Sequence, residues 1–266
     1  MKLPPPMRIG EIMDRTFQLL PQLIKPLLGI SLAIAVLATL STYLNFELQQ
    51  GSNIIHTLLL FLPTSILQWI LTYYFMLLAT FLSDSLWISG SADSANCRAK
   101  VTFGKMITAF LLQAAIILAG MAWMLLFIIP GLIYFVNRIP AINIYLLENL
   151  SFRESLRKSK MLMTHCPGIP WYSFRTPMMR ISAILLVSMV LNLMPAMISG
   201  SNVFFNTLQG KLTTFNTLDY VINFVASFLT MVFSTFGYLA GVGFYYDIRT
   251  RAQGIDLKHE IASLNS

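Results

Sequence analysis

Six apolar stretches, at 27–44, 57–82, 106–129, 132–147, 181–199 and 220–246, constrain this chain more than any other feature in it. The hydrocarbon core of a bilayer is about 30 Å thick, so a helix crosses it with about 20 mostly apolar residues. Five of the stretches carry no charge, and the fourth is shorter and contains Arg138. Only helices and closed barrels satisfy their backbone in lipid. These runs are too long and too continuously apolar for the alternating pattern of a barrel strand. The fold class that follows is an all-α membrane protein, a bundle of about six transmembrane helices with amphipathic interfacial helices. Composition agrees: 56% of residues are hydrophobic and 11% charged, against about 25% charged in a soluble domain.

The cations set the orientation. There are 18 Lys+Arg against 11 Asp+Glu, a balance that in a soluble protein would suggest nucleic acid. Here the cations lie between apolar runs, which excludes that partner. Lys2, Arg8, Arg15 and Lys25 precede the first run. Arg98, Lys100 and Lys105 lie in the 83–105 loop. The 148–180 loop holds Arg153, Arg157, Lys158, Lys160, Arg175 and Arg180, and the tail holds Arg249, Arg251 and Lys258. With an even number of spans these segments share one face, and the positive-inside rule makes it cytoplasmic. The expected location is a bacterial inner membrane, multi-pass, with both termini in the cytoplasm.

This divides the chain into a cytoplasmic amphipathic leading segment (1–26), a six-helix membrane domain (27–246) and a cytoplasmic tail (247–266). In the leading segment Ile9, Met13, Phe17, Leu20 and Ile24 form a helical stripe, and Pro21 is expected to kink or end the helix. The segment 151–164 opens on Ser151 and Glu154, the spacing of a capping box. It places Phe152, Leu156, Ser159 and Met163 on one face and supplies Arg153, Arg157, Lys158 and Lys160. Such a helix suits anionic headgroups, at about 1 kcal/mol per basic residue. Beyond it, Pro167, Gly168, Pro170 and Pro177 break any longer helix. Pro130-Gly131 is expected to make the tight turn between antiparallel third and fourth spans. No cleavable leader is evident, so the first run is expected to serve as an uncleaved anchor. Cys97 and Cys166 are expected in cytoplasmic loops, reduced and unpaired.

Three stretches carry a family resemblance. They are MRIGEIMDRTFQLL, with Gly10 to Arg15; PAINIYLLENLSFRESLRKSKML, with Glu148, Ser155, Leu156, Arg157 and Ser159; and FYYDIRTRAQGIDL, with Tyr246, Asp247, Arg249, Arg251, Gly254 and Asp256. They resemble the membrane domain attached to some bacterial glycerophosphoryl diester phosphodiesterases, which also occurs in stand-alone multi-pass proteins. The Pro-rich 167–177 stretch departs from that family, where a helix more often continues. The resemblance implies a helical membrane domain and no activity, because the phosphodiesterase chemistry belongs to a separate soluble domain.

No reactive constellation appears. His56, His165 and His259 are far apart, and no HExxH, Walker lysine loop or GxSxG elbow is present. No cofactor, metal or catalytic residue is expected. Arg138 lies about seven residues, or roughly 10 Å, past the Pro-Gly pair, accompanied by Asn137 and Asn143. A charge at such depth costs about 2.5–3.5 kcal/mol and marks a candidate functional group. It either holds an anionic headgroup, substrate or partner helix inside the bundle, or pairs with carbonyls or a carboxylate at a kink near Pro140, or snorkels. Glu148, Asp247, Arg249 and Arg251 are candidates to fasten helix ends together, with Asp247 and Arg251 at i, i+4. Gly237 and Gly241, followed by Gly243, mark a small-residue face for helix packing or a homodimer.

The functional expectation is a non-catalytic integral membrane protein, engaged in envelope organisation or partnering other membrane or lipid-related proteins on an anionic inner leaflet. The alternative is a small transporter using Arg138, with helices broken at Pro63, Pro140 and Pro195 and polar Gln68, Gln113, Asn192 and Asn223. A lipid-modifying enzyme is the third and least supported reading.

Overall fold

The computed structural model describes residues 7–49, 54–164, 176–208 and 217–264. Among them every regular element is a helix: α1 (Ile9–Gln49), α2 (Ile54–Ser89), α3 (Ser94–Lys100), α4 (Phe103–Leu126), α5 (Ile128–Arg138), α6 (Ala141–Glu148), α7 (Phe152–Thr164), α8 (Pro177–Leu208) and α9 (Thr217–Leu264). Six segments are long and apolar enough to cross a membrane: Ile9–Leu48, Ile54–Ser89, Phe103–Leu126, Ile128–Glu148, Pro177–Met197 and Thr217–Ala252. The protein is an all-α membrane protein. Cys166, His165, Trp171 and the prolines at 167 and 170 lie outside the described residues.

Several helices outrun the expected bounds. The leading segment and first span are one 41-residue helix, α1, unbroken at Pro21 and Pro26. Leu23 and Leu27, both fully buried, hold the chain helical across the two missing N–H groups. The packed stripe is Ile12, Thr16, Leu23 and Leu27, while Phe17 is 52% exposed. It is therefore rotated from the expected one, since an apolar side chain facing lipid is not driven to pack. α2 and α8 likewise run through Pro63 and Pro195, so of the three suspected breaks only Pro140, between α5 and α6, interrupts a helix. α9 continues through the expected tail to Leu264.

The chain divides into two compact units. One comprises Ile24–Met76 and Val187–Phe236. Its described Lys, Arg, Asp, Glu and His side chains are Lys25, Glu47, His56 and Asp219. Several polar groups between them find partners close by, while the buried Ser188 Oγ has none. Ser31, Thr39 and Thr64 donate to the carbonyls of Leu27, Ala35 and Leu60 one turn back. Ser41 Oγ donates to Gln68 Oε1 at 3.0 Å, and Ser234 Oγ to Asn192 Oδ1 at 3.1 Å. Satisfied in this way, hydroxyls and amides are tolerated in apolar surroundings. Gln68 and Asn192, two of the polar residues that motivate the transporter alternative, thus make interhelical hydrogen bonds.

The other unit comprises Met1–Leu23, Leu77–Leu186 and Gly237–Ser266. Its centre is α9, in which every residue from Val242 to Ile248 is buried. α4 and α5 form an antiparallel hairpin. Its turn lies at Phe127 (φ −153°), and Pro130-Gly131 sits in the first turn of α5. This corrects the expected turn: Pro needs no partner for its missing N–H at a helix start. Gly131 lets the arms touch, since a Cβ there would lie 2.6 Å from Met124 N. Leu112, Ile116 and Ala141 form a small core with Phe135, Phe152 and Leu156 against it. Cys97, expected in a loop, is buried on the short helix α3, its thiol donating to Phe81 O at 3.4 Å.

Candidate functional site

The polar side chains singled out in the sequence gather, with unexpected partners, around the buried stretch of α9. Asp247 has no exposed side-chain surface and Arg180, at the start of α8, has 4%. A carboxylate so placed is stable only with donors on both oxygens. Asp247 Oδ1 accepts from the Met7 N–H at 2.8 Å, Arg180 Nη1 donates to Oδ2, and Arg251 Nε donates to both oxygens at 3.1 and 3.0 Å. The same two arginines donate to the Met7 carbonyl, at 2.6 and 2.8 Å. The chain leading into α1, the beginning of α8 and α9 are thereby joined at one point.

Glu148, the last residue of α6, holds a second point. It accepts from Lys158 Nζ and from the Tyr245 hydroxyl, each at 2.5 Å, and Arg249 Nη1 stands 3.7 Å away. Arg249 also donates to the Tyr245 hydroxyl at 3.1 Å. α6, α7 and α9 meet here. Glu148, Asp247, Arg249 and Arg251 thus fall into two clusters rather than one. Glu148 takes Arg249, and Asp247 takes Arg251 with the unforeseen Arg180.

A third junction joins α2 to α9. The Tyr246 hydroxyl donates to Asp84 Oδ1, and Trp87 Nε1 donates to Leu239 O at 2.8 Å. The Trp87 indole lies against Gly243, where a Cβ would come within 2.3 Å of Cζ2. Arg15 stacks over the same ring, 4.7 Å from its centroid. The close-packing glycine is therefore Gly243. A Cβ on Gly241 would meet only Asn143 Nδ2, at an ordinary 3.5 Å, and Gly237 is half-buried.

Arg138 is half-buried at the end of α5. Its Nη1 donates to Leu156 O on α7, and its guanidinium lies 5.5 Å from the Tyr134 ring centroid. Ser159 Oγ donates to the neighbouring Asn137 O at 2.8 Å. The carbonyl that Arg138 meets belongs to α7, not to the kink at Pro140.

α7 is the expected amphipathic helix. Ser151 and Glu154 cap it reciprocally: Ser151 N–H donates to Glu154 Oε2 at 3.0 Å and Glu154 N–H to Ser151 Oγ at 3.4 Å. The bonds from Ser151 hold the Glu154 carboxyl below the ordinary glutamate range. Ser155, Ser159, Leu162 and Met163 are buried. Arg153, Arg157 and Lys160 are exposed and share a face by their spacing of three and four. Lys158, named with them in the sequence, is paired with Glu148 at 2.5 Å.

Arg180 was readable only as one more cation of a basic loop. Tyr245 and Tyr246 carried a signal in the run Phe-Tyr-Tyr-Asp, where two hydroxyls and a carboxylate follow an apolar helix without a break. Among the described residues no three His, Cys, Asp or Glu are grouped to hold a metal ion. Family models, curated proteins and solved structures yield no match to this chain.

Proposed function

We propose that this protein is a non-catalytic multi-pass integral membrane protein that presents a basic helix to the anionic inner leaflet and partners other envelope components there, with both termini cytoplasmic. The observation carrying the reading is α7. Arg153, Arg157 and Lys160 stand exposed on one side while Ser155, Ser159 and Leu162 are buried on the other. Fixed by its cap, by Lys158–Glu148 and by Arg138, this helix is a rigid cationic edge. The carboxylates that could have served a reaction, Glu148 and Asp247, are occupied in joining helices. The resemblance to the phosphodiesterase-linked membrane domain supports the same reading, since that domain is the non-catalytic part of its proteins.

Each basic residue near an anionic surface contributes about 1 kcal/mol. The variant Arg153→Gln/Arg157→Gln/Lys160→Gln is therefore expected to lose most of the anionic lipid that co-purifies with the wild type, measured by mass spectrometry of the detergent-solubilised protein. An unchanged share of anionic lipid, in a triple variant as stable as the wild type, contradicts the proposal.

A further inference from the structure

We propose that Arg138 anchors a phosphate-binding site beside the turn of α7 that carries Arg157 and Lys160. The ligand is a phosphate group, borne by an anionic lipid or free as the ion. The inference rests on α7 meeting the anionic leaflet, and it names the residue that gives this contact a specific chemistry.

Arg138 is a cation without a countercharge. Lys158, Arg180, Arg249 and Arg251 each pair with Glu148 or Asp247. Arg138 is half-buried within a segment apolar enough to cross a membrane, and no carboxylate among the described residues pairs with it. The carboxylates of the flanking helices are committed elsewhere, Glu148 to Lys158 and Tyr245 and Glu154 to Ser151. Between residues 128 and 164 five cations stand against these two carboxylates.

The contacts of Arg138 do not replace an anion. Its Nη1 donates to Leu156 O, and its guanidinium lies 5.5 Å from the Tyr134 ring centroid. Leu156 is inside α7, where a carbonyl already accepts from the N–H four residues on. The C-terminal end of α5 offsets about half a charge. Arg15 is the instructive contrast. It too meets a carbonyl and a ring, but its carbonyl is that of Trp87, in the last turn of α2. There carbonyls are open and the helix end favours a cation.

A guanidinium carries five N–H donors in one plane. Beyond the bond to Leu156 O, those of Arg138 meet no acceptor among the described residues. Two parallel N–H groups match two phosphate oxygens, and the pairing is charge-assisted. Further charge lies close by. The carbonyl of residue 156 is directed at residue 160, so the guanidinium sits at the turn from which Lys160 and Arg157 project, both exposed. The bond from Ser159 Oγ to Asn137 O, at 2.8 Å, fixes α7 against α5 at the same place. A phosphate brings the anion that this group of cations lacks.

The test is native mass spectrometry of the full chain in a neutral detergent, titrated with phosphatidylglycerol, phosphatidylcholine or ammonium phosphate. The wild type is expected to bind phosphatidylglycerol about tenfold more tightly than phosphatidylcholine. Arg138→Gln is expected to lose that preference while binding phosphatidylcholine as before, which a merely structural role would not produce. A phosphate adduct that disappears in Arg138→Gln identifies the free ion as a ligand, and a dependence on Arg138 seen only with phosphatidylglycerol identifies the lipid. Arg153→Gln/Arg157→Gln/Lys160→Gln is measured in parallel. If that variant loses the preference and Arg138→Gln keeps it, the site is overturned and the leaflet reading stands. If Arg138→Gln loses it and the triple variant keeps it, the leaflet reading and the share given to Arg157 and Lys160 fall, and the anchor stands. Should Arg138→Gln not fold, Arg138→Lys decides, because lysine keeps the charge and lacks the fork. A preference reduced about threefold or more supports the site, and an undiminished one overturns it.

Discussion

Replacing Asp247 by alanine is expected to destabilise the protein by about 3–5 kcal/mol, because it leaves a buried cation without its countercharge. Arg180 has 4% of its side chain exposed and Asp247 none, so no water replaces the lost carboxylate. The Met7 N–H loses its acceptor in the same step. Arg251 contributes less, since 43% of its side chain is exposed and exposed pairs are worth about 0–1 kcal/mol. Arg251→Gln is therefore expected to be mild. Removing the charge from both partners, as in Arg180→Met/Asp247→Asn, keeps an acceptor for Met7 and is expected to recover most of the loss. Unfolding in mixed micelles, followed by circular dichroism, provides the comparison. An Asp247→Ala variant as stable as Arg251→Gln contradicts the role given to the pair.

Gly243→Ala is the second large effect, at about 1–3 kcal/mol for forcing volume into a packed site. The new methyl would lie 2.3 Å from Cζ2 of Trp87. That indole is 1% exposed and held by its bond to Leu239 O. It is rigid, so relief requires moving α2 from α9 or breaking the bond. Gly241→Ala is the internal control. Its methyl would meet Asn143 Nδ2 at 3.5 Å, and alanine gains helix propensity of about 1 kcal/mol over glycine. The same thermal or denaturant scan should rank Gly243→Ala well below the wild type and Gly241→Ala level with it or above. Equal destabilisation by both substitutions contradicts the assignment of Gly243 as the close contact.

The contrast between these glycines shows how far the sequence could be read. The Gly237, Gly241 and Gly243 series identified a region where helices approach, but not which member touches and which only borders. Spacing fixes the angular position of a residue on its own helix, and the partner's shape is a separate matter. The leading helix makes the same point. Ile9, Met13, Phe17, Leu20 and Ile24 form a good stripe, yet Ile12, Thr16, Leu23 and Leu27 are the buried ones. In water the apolar face is the packed face. A helix at a membrane interface can turn an apolar stripe to lipid instead, so periodicity alone does not give the packed face.

The polar network was half legible. Asp247 and Arg251 are one helical turn apart, so their pairing is local and visible. Glu148 and Tyr245 are 97 residues apart, and Met7 and Asp247 240; no local pattern encodes those meetings. Arg180 was hidden by the way loop cations are read. Counting loop cations gave a consistent orientation, and the count treats every cation as solvated. The scarcity of charge was the clue: with 11 Asp+Glu in 266 residues, a carboxylate at the end of an apolar helix has a strong reason to be paired. The positions of the long helices, by contrast, came directly from the lengths of the apolar runs. Their ends did not, because helices continue beyond the apolar stretch wherever another helix packs against them, as α1, α2 and α9 do.

The measurement that bears most directly on the whole account is the sidedness of the loops in a living cell. Paired reporters, one active only in the cytoplasm and one only outside the inner membrane, are fused after residues 50, 95, 165 and 210. The account predicts outside, inside, inside, outside. A cytoplasmic signal after residue 50 or an external one after residue 165 contradicts it. So does a chain that remains monomeric in water without detergent.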